Sequence, residues 1–223
     1  MRTRIKLCGI TREEDARAAA AAGADAIGLV FYPKSPRAVG LEQARLLARQ
    51  VPPWVSVVGL FVNAERAEVL QTASAVGLTH IQLHGDEDLA ACQDLGRPVV
   101  KALRVSGVTS ATGLITLIDC FKAEAALLFD ADSVGFGGGG LAFDWQILQD
   151  IRAHLPASWV LSGGLDATTV EEAVRSLAPP AVDVSSGVER LVDGKPLRGV
   201  KDWNRMQAFV NAVARADGPR SDE

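Results

Sequence analysis

Val55-Ser-Val-Val-Gly-Leu-Phe-Val62 leads into Ala64-Glu-Arg-Ala-Glu-Val-Leu-Gln-Thr-Ala-Ser-Ala-Val76, and that into His80-Ile-Gln-Leu-His84. The first segment is, apart from Ser56, a continuous apolar run rich in valine, the pattern of a strand covered on both faces. The second carries apolar residues at helical spacing among alanines and charged residues. The third is short and extended again. Strand, helix and strand within about 30 residues is the repeat of a parallel sheet.

The same alternation fills the chain in both directions from this stretch. Upstream, Arg4–Leu7 precedes a helix over Arg12–Ala22, and Ala26–Phe31 precedes one over Leu41–Val51. Downstream come a helix over Asp86–Leu95, a strand over Pro98–Leu103 and a poorly patterned stretch over Thr109–Phe121. Strand Ala125–Asp130, a glycine-rich loop, helix Trp145–Leu155, strand Trp159–Ser162 and helix Ala167–Leu177 follow, then strand Ala181–Val184 and a last helix over Lys201–Arg215. Strand starts recur about every 25 residues and no linker interrupts them. The pattern predicts an α/β fold, a single-domain (β/α)8 TIM barrel over residues 1–216, with a disordered polar tail at 217–223. A doubly wound open sheet is the alternative.

Composition narrows the function. The chain has 223 residues, 48% of them hydrophobic, and a formal net charge of −4. No excess of Lys and Arg exists to meet phosphates of a nucleic acid, and 5% aromatic content offers few stacking platforms, so neither nucleic acid nor membrane is an expected partner. Three dispersed cysteines make no disulfide framework and suit a reducing, cytoplasmic setting. The start of the chain reads as a strand running into a turn, with no secretory signal, and apolar runs of about seven residues cannot span a bilayer.

In a barrel, chemistry collects where strands end. Here those points carry Cys8-Gly9, Phe31 to Arg37, Asn63, Gln82 to Asp86, Asp130-Ala-Asp132, Ser162-Gly-Gly164 and Asp183 to Gly187. The short loops with Gly163, Gly164, Ser185 and Ser186, after strands seven and eight, can close backbone N–H groups on a phosphate. Cys8 is a candidate base if its pKa drops below the usual value near 8.5. Asp130, ending an apolar strand, is a candidate acid if desolvation raises its pKa. Arg37 can grip a carboxylate with two parallel hydrogen bonds, against the plainer reading of a solvated loop arginine. His80, Gln82 and His84 share one face of a strand, which is not a zinc spacing, and no metal is expected. Gly135 to Gly140 formally contains G-x-G-x-x-G, but neither its strand nor its helix is adjacent, so a dinucleotide site is not expected; a loop able to fold over a ligand fits better. Cys92 and Cys120 read as ordinary structural cysteines.

These residues resemble the phosphoribosylanthranilate isomerase family, barrel enzymes of tryptophan biosynthesis. The resemblance runs through Lys6-Leu-Cys-Gly-Ile-Thr11, Gly28-Leu-Val-Phe-Tyr-Pro-Lys-Ser-Pro-Arg37, Gly59-Leu-Phe-Val-Asn63, Ile81-Gln-Leu-His-Gly-Asp-Glu87, Leu128-Phe-Asp130, Phe143-Asp-Trp145, Leu161-Ser-Gly-Gly-Leu165, Val182-Asp-Val-Ser-Ser-Gly-Val-Glu189 and Gly199-Val-Lys-Asp202. It implies a cofactor-free Amadori rearrangement of N-(5-phosphoribosyl)anthranilate. Asp130 would be the general acid, Cys8 the general base, and Arg37 the ligand of the anthranilate carboxylate. Gly163, Gly164, Ser185 and Ser186 would hold the phosphate, while Gln82, His84 and Asp183 would line the mouth.

The chain departs from the family in two places. Gly137-Gly-Gly-Gly-Leu-Ala142 lacks the hydroxyls and lysine usual before Phe-Asp-Trp, and Arg190-Leu-Val-Asp-Gly-Lys-Pro-Leu-Arg198 is longer than the usual link and should extend the loop before the last helix. The rival functions are a lyase like indole-glycerol-phosphate synthase, which would want a strand-borne lysine as acid, and a non-catalytic phosphosugar-binding barrel. The expected partner is a small phosphorylated substrate, and the expected state is monomer or homodimer.

Overall fold

The structure, a computed structural model, describes residues 2–106, 110–131 and 144–218. Eight parallel strands form a closed barrel in chain order: β1 Arg4–Cys8, β2 Ala26–Val30, β3 Ser56–Phe61, β4 His80–Leu83, β5 Val99–Val105, β6 Ala126–Ala131, β7 Trp159–Leu161 and β8 Ala181–Val184. The seam pairs first strand with last, Arg4 opposite Ala181 and Lys6 opposite Asp183. Closure decides between the two sheets the sequence allowed: this is the barrel.

Helices α1 Glu13–Ala22, α2 Leu41–Ala48, α3 Arg66–Val76, α4 Leu89–Cys92, α5 Ala111–Phe121, α6 Gln146–Asp150, α7 Val170–Leu177 and α8 Trp203–Asp217 connect the strands and close the chain. Gly23 and Gly77 stop α1 and α3 at positive φ, where a side chain would be strained. Alternation along each strand turns one set of residues outward to the helices. Leu7, Ile27, Phe61, Ile81, Leu127, Phe129 and Val182 are buried there against helix residues such as Ala19, Leu47, Leu114 and Phe209, in one continuous core. The other set faces the barrel axis, which leaves polar side chains free to use the interior.

The poorly patterned stretch is an ordinary helix, α5, capped by Ser110 and burying Leu114, Ile118 and Phe121. Gly113 and the β-branched Thr112, Ile115 and Thr116 weaken its intrinsic propensity, so packing rather than propensity holds it. The long helix expected over Asp86–Leu95 shrinks to the single turn of α4, because Gly85, Asp86 and Glu87 are drawn into contacts with Asn63 and Lys101. Helix Trp145–Leu155 is α6 plus a 3-10 turn at Arg152–His154. The extension after Glu189 is an antiparallel hairpin, β9 Glu189–Val192 and β10 Lys195–Lys201, with the tight turn at Asp193 and Gly194. It takes Lys201 from the last helix, which starts after its Asp202 cap. Asp217 belongs to that helix and not to a frayed tail: its carboxylate accepts from the Thr3 backbone N–H and hydroxyl. The remaining tail, from residue 219, and the glycine-rich stretch at 135–140 lie outside the described residues.

Candidate active site

The inward set is layered from one end of the barrel to the other. On β1 it is Arg4, Lys6 and Cys8; on β4 and the residue after it, His80, Gln82 and His84. At the C-terminal mouth a cavity of about 50 Å³ is lined by Cys8, Arg37, His84, Asp130, Asp183 and Ser185, among others. Chains of hydrogen bonds tie these side chains to the layer below.

Cys8 is 5% exposed, and Gly28 makes its place: a Cβ on Gly28 would lie 2.6 Å from the sulfur. Beneath it the Lys6 ammonium donates to Asp183 Oδ2 at 2.9 Å. Burial disfavours the charged Lys6, but Asp183 and Cys8 more than offset this and push its pKa up. The thiol goes the other way from expectation. Burial raises its pKa, Lys6 pulls it down, and burial prevails, helped by the Asp183 charge. Lys6 cannot acidify Cys8 fully because it is shared with a carboxylate. Removing Lys6 therefore leaves burial opposed by the weaker pull of Lys201: in Lys6→Met the Cys8 thiolate, followed by ultraviolet absorbance against a Cys8→Ser reference, should form at higher pH than in the parent. An unmoved titration would show that Lys6 has no hold on the thiol.

A second chain fixes Asp130, itself 5% exposed. Gln82 Nε2 donates to His84 Nδ1 at 2.9 Å, which leaves the ring proton on Nε2, 3.1 Å from Asp130 Oδ2. Asp130 Oδ1 accepts from the Ala131 N–H at 3.0 Å. Gln82 is wholly buried and does not line the mouth; it reaches instead into a cavity of about 380 Å³ at the opposite end, between small residues such as Ala26, Ser56 and Ala181. One layer of the barrel separates it from the mouth, so its contact there is through His84.

Arg37 is no solvated loop arginine. It is 5% exposed and lies over Gly9, where an added Cβ would fall 2.4 Å from its Cδ. Its Nε and Nη2 donate to the two oxygens of Glu189 at 2.7 and 2.9 Å. Glu189 also accepts from the Gly199 N–H, and Lys201 Nζ lies 3.4 Å from it while donating to Ser185 O at 2.9 Å. Burial raises the Glu189 pKa, but Arg37 and Lys201 outweigh it and hold the carboxyl below the usual range. Burial lowers Lys201, with Arg37 adding repulsion, to about 8. Sequence reasoning assigned no role to Glu189, Lys201 or Lys6. Each stands in a quoted motif, but their pairing crosses the barrel seam or the hairpin and has no local signal.

The residues expected at the phosphate divide between two places. Gly164 and Ser186 line a second cavity of about 260 Å³, beside the mouth and sharing Arg37 with it. Gly163 packs its backbone against Ala131, where a Cβ would meet the Ala131 nitrogen at 2.6 Å. Ser185 lines the mouth, with its hydroxyl donating to Cys8 O. Gly187, the next residue of that loop, also lines the second cavity, and a Cβ added there would strike Leu165 O at 2.0 Å. Among the described residues no cluster of three or more His, Cys, Asp or Glu side chains could hold a metal, and no helix is long and apolar enough to cross a membrane.

A closed parallel barrel with thiol, carboxyl and guanidinium gathered at its C-terminal mouth is the build of a (β/α)8-barrel enzyme. The sequence model for N-(5'phosphoribosyl)anthranilate (PRA) isomerase matches residues 5–212, and the chain belongs to that family. It is 49% identical over 218 residues to the N-(5'-phosphoribosyl)anthranilate isomerase of Dechloromonas aromatica (strain RCB), covering 97% of this chain and 99% of that one. The crystal structure of phosphoribosyl anthranilate isomerase from Thermotoga maritima superposes with a TM-score of 0.84 at 37% identity, over 96% of this chain and 99% of the other. A crystal structure of a phosphoribosyl anthranilate isomerase in complex with reduced 1-(o-carboxyphenylamino)-1-deoxyribulose 5-phosphate matches with a TM-score of 0.81 at 36% identity, over the same shares.

Proposed function

We propose that this chain isomerises N-(5-phosphoribosyl)anthranilate to 1-(2-carboxyphenylamino)-1-deoxyribulose 5-phosphate in tryptophan biosynthesis, with Asp130 as general acid and Cys8 as general base. The observation that carries the residue assignment is that both line one small cavity while being held by separate supports, His84 for the carboxyl and Lys6 for the thiol. Asp130 protonates the ribose ring oxygen as the C1′–O bond breaks, and the nitrogen lone pair forms the iminium. Cys8 takes the C2′ proton, the C–H electron pair forms the C1′–C2′ double bond as the C=N π pair returns to nitrogen, and the resulting enolamine gains a proton at C1′ and loses the C2′ hydroxyl proton to give the ketone. Proton transfers of this kind need positioned groups and no cofactor. A raised thiol pKa makes the thiolate scarce but strongly basic, which suits removal of a carbon-bound proton.

Arg37 meets the anthranilate carboxylate, already turned by Glu189. The cavity with Gly164 and Ser186 takes the phosphate, and Asp183, Gln82 and His84 support the pair. A reducing cytoplasm keeps Cys8 a thiol, and nothing in the assignment requires a second subunit. The test is complementation of a tryptophan auxotroph lacking this step, with Cys8→Ala beside the parent; no growth with the parent gene would overturn the proposal. Arg37→Ala should raise KM about tenfold or more in steady-state kinetics, as for loss of a charge-assisted pair. An unchanged KM would remove Arg37 from the carboxylate.

A further inference from the structure

We propose that Arg198, on the hairpin β9–β10, is a phosphate-binding residue, supplying the cationic charge that the cavity beside the mouth needs for a phosphate monoester dianion. The proposal rests on the isomerase reading and adds to it a residue that neither the catalytic pair nor the two serine–glycine loops call for.

The charges lining that cavity are three guanidiniums, Arg37, Arg198 and Arg205, and two carboxylates, Asp166 and Glu189. Arg37 and Glu189 neutralise one another through two hydrogen bonds. Arg205 is held below the loop, with Nε and Nη2 both donating to Gly187 O. Asp166 keeps its charge on the start of α7, accepting from the Thr168 and Thr169 N–H groups and the Thr168 hydroxyl. Arg198 is exposed, and among the described residues its guanidinium meets no hydrogen-bonding or ionic partner. Its donors remain for a ligand, and their fork matches two phosphate oxygens. With Arg198 the formal charge lining the cavity is +1; without it, zero. By sequence, the whole stretch 132–143 carries no Lys or Arg that could serve in its place.

The hairpin has buried ends, Glu189 and Lys201, and between them it presents Arg198 from a fixed backbone. The next residue, Gly199, is pinned at positive φ by its N–H donating to buried Glu189 and its carbonyl accepting from the Thr11 hydroxyl. Pro196, two residues earlier, also lines the cavity. The large hydrophobic side chains Leu191, Val192 and Leu197 are exposed and add nothing to the core. A rigid base carrying an unengaged guanidinium at the edge of a glycine–serine cavity has a binding role as its physical reason.

The experiment compares the parent with Arg198→Ala and Arg198→Lys, using inorganic phosphate as probe by calorimetry and the phosphorylated substrate in steady-state kinetics. Arg198→Ala should weaken phosphate binding and raise KM, each about tenfold, with kcat within about twofold. Arg198→Lys should recover part of both, since it restores the charge but not the fork. Added salt should weaken phosphate binding less in Arg198→Ala than in the parent. Unchanged phosphate affinity and KM in Arg198→Ala would overturn the proposal. Phosphate binding needs no turnover, so a parent that binds phosphate through Arg198 but does not isomerise would refute the isomerase reading and leave this one standing.

Discussion

Asp130→Asn and Cys8→Ala should each lower kcat about a thousandfold, equivalent to ~4 kcal/mol of transition-state stabilisation. Both groups are nearly out of solvent, so no bulk water stands ready to replace the missing acid or base. KM should change little, because each acts on a bond being broken and not on ground-state binding. The folded state should survive both changes. Asparagine keeps the shape of Asp130, and its single amide oxygen can still accept from one of the two donors, His84 Nε2 or the Ala131 N–H. Loss of the Cys8 sulfur leaves the larger core outside the barrel untouched, since among the described residues the hydrophobic cluster around Cys8 is Val30, Leu60, Val62 and Tyr32. Circular dichroism and thermal unfolding check the fold; turnover of Asp130→Asn at the parent rate would end the acid assignment. Cys8→Ser separates chemistry from packing, for it fills the site with a group whose proton leaves far less readily.

Glu189→Ala should cost about 3–5 kcal/mol in urea unfolding, the largest stability effect foreseen for a single site here. The reason is what remains: Arg37 and Lys201, both buried, would face each other with no carboxylate between them. Glu189→Gln keeps volume but not charge, and should fall between parent and alanine. The Lys201 ammonium, at about 8 with its partner present, should then titrate lower still. Acid behaviour follows from the sign of the Glu189 shift. Its folded-state pKa is depressed below the ordinary 4.5. Its contribution is therefore complete above that value and lost as pH falls through the folded-state value. Stability measured from neutral pH downward should consequently fall less steeply below about 4.5 in Glu189→Gln than in the parent. Equal slopes would mean that the carboxylate is not held by its neighbours. The same substitution frees Arg37 to turn, so KM should rise with kcat less affected.

Most of the barrel was legible because its signals are local. Apolar strands, glycine stops and the 25-residue period each sit within a few residues of the element they announce. Asp86–Leu95 and Thr109–Phe121 were the exceptions: contacts to Asn63 and Lys101 shorten the first helix, and weak helix formers in the second hide a buried stripe that the neighbouring strands make worthwhile. The mouth residues were legible in kind, as strand ends are where a barrel puts its chemistry. Their wiring was not. Nothing near Glu189 in sequence announces Arg37, which lies 152 residues away, nor does anything near Lys6 announce Asp183. Cys8 shows the same limit in energetic terms. The base reading asked for an acidified thiol, and the depth of burial, with the Asp183 carboxylate that shares Lys6, reverses that sign.

The seam between β1 and β8 ties the site to the order in which the molecule assembles. Lys6 and Asp183, and Cys8 and Ser185, meet across a separation of 177 residues. Contacts so distant in sequence carry the heaviest loop-closure entropy, and a growing sheet makes them only after nearer pairings have formed. A barrel with its first or last strand still undocked can own nearly all its helices and still have no arrangement of thiol, ammonium and carboxylate. Catalytic competence is thus a property of the last gap to close, and regained activity times that event more sharply than regained helix content does.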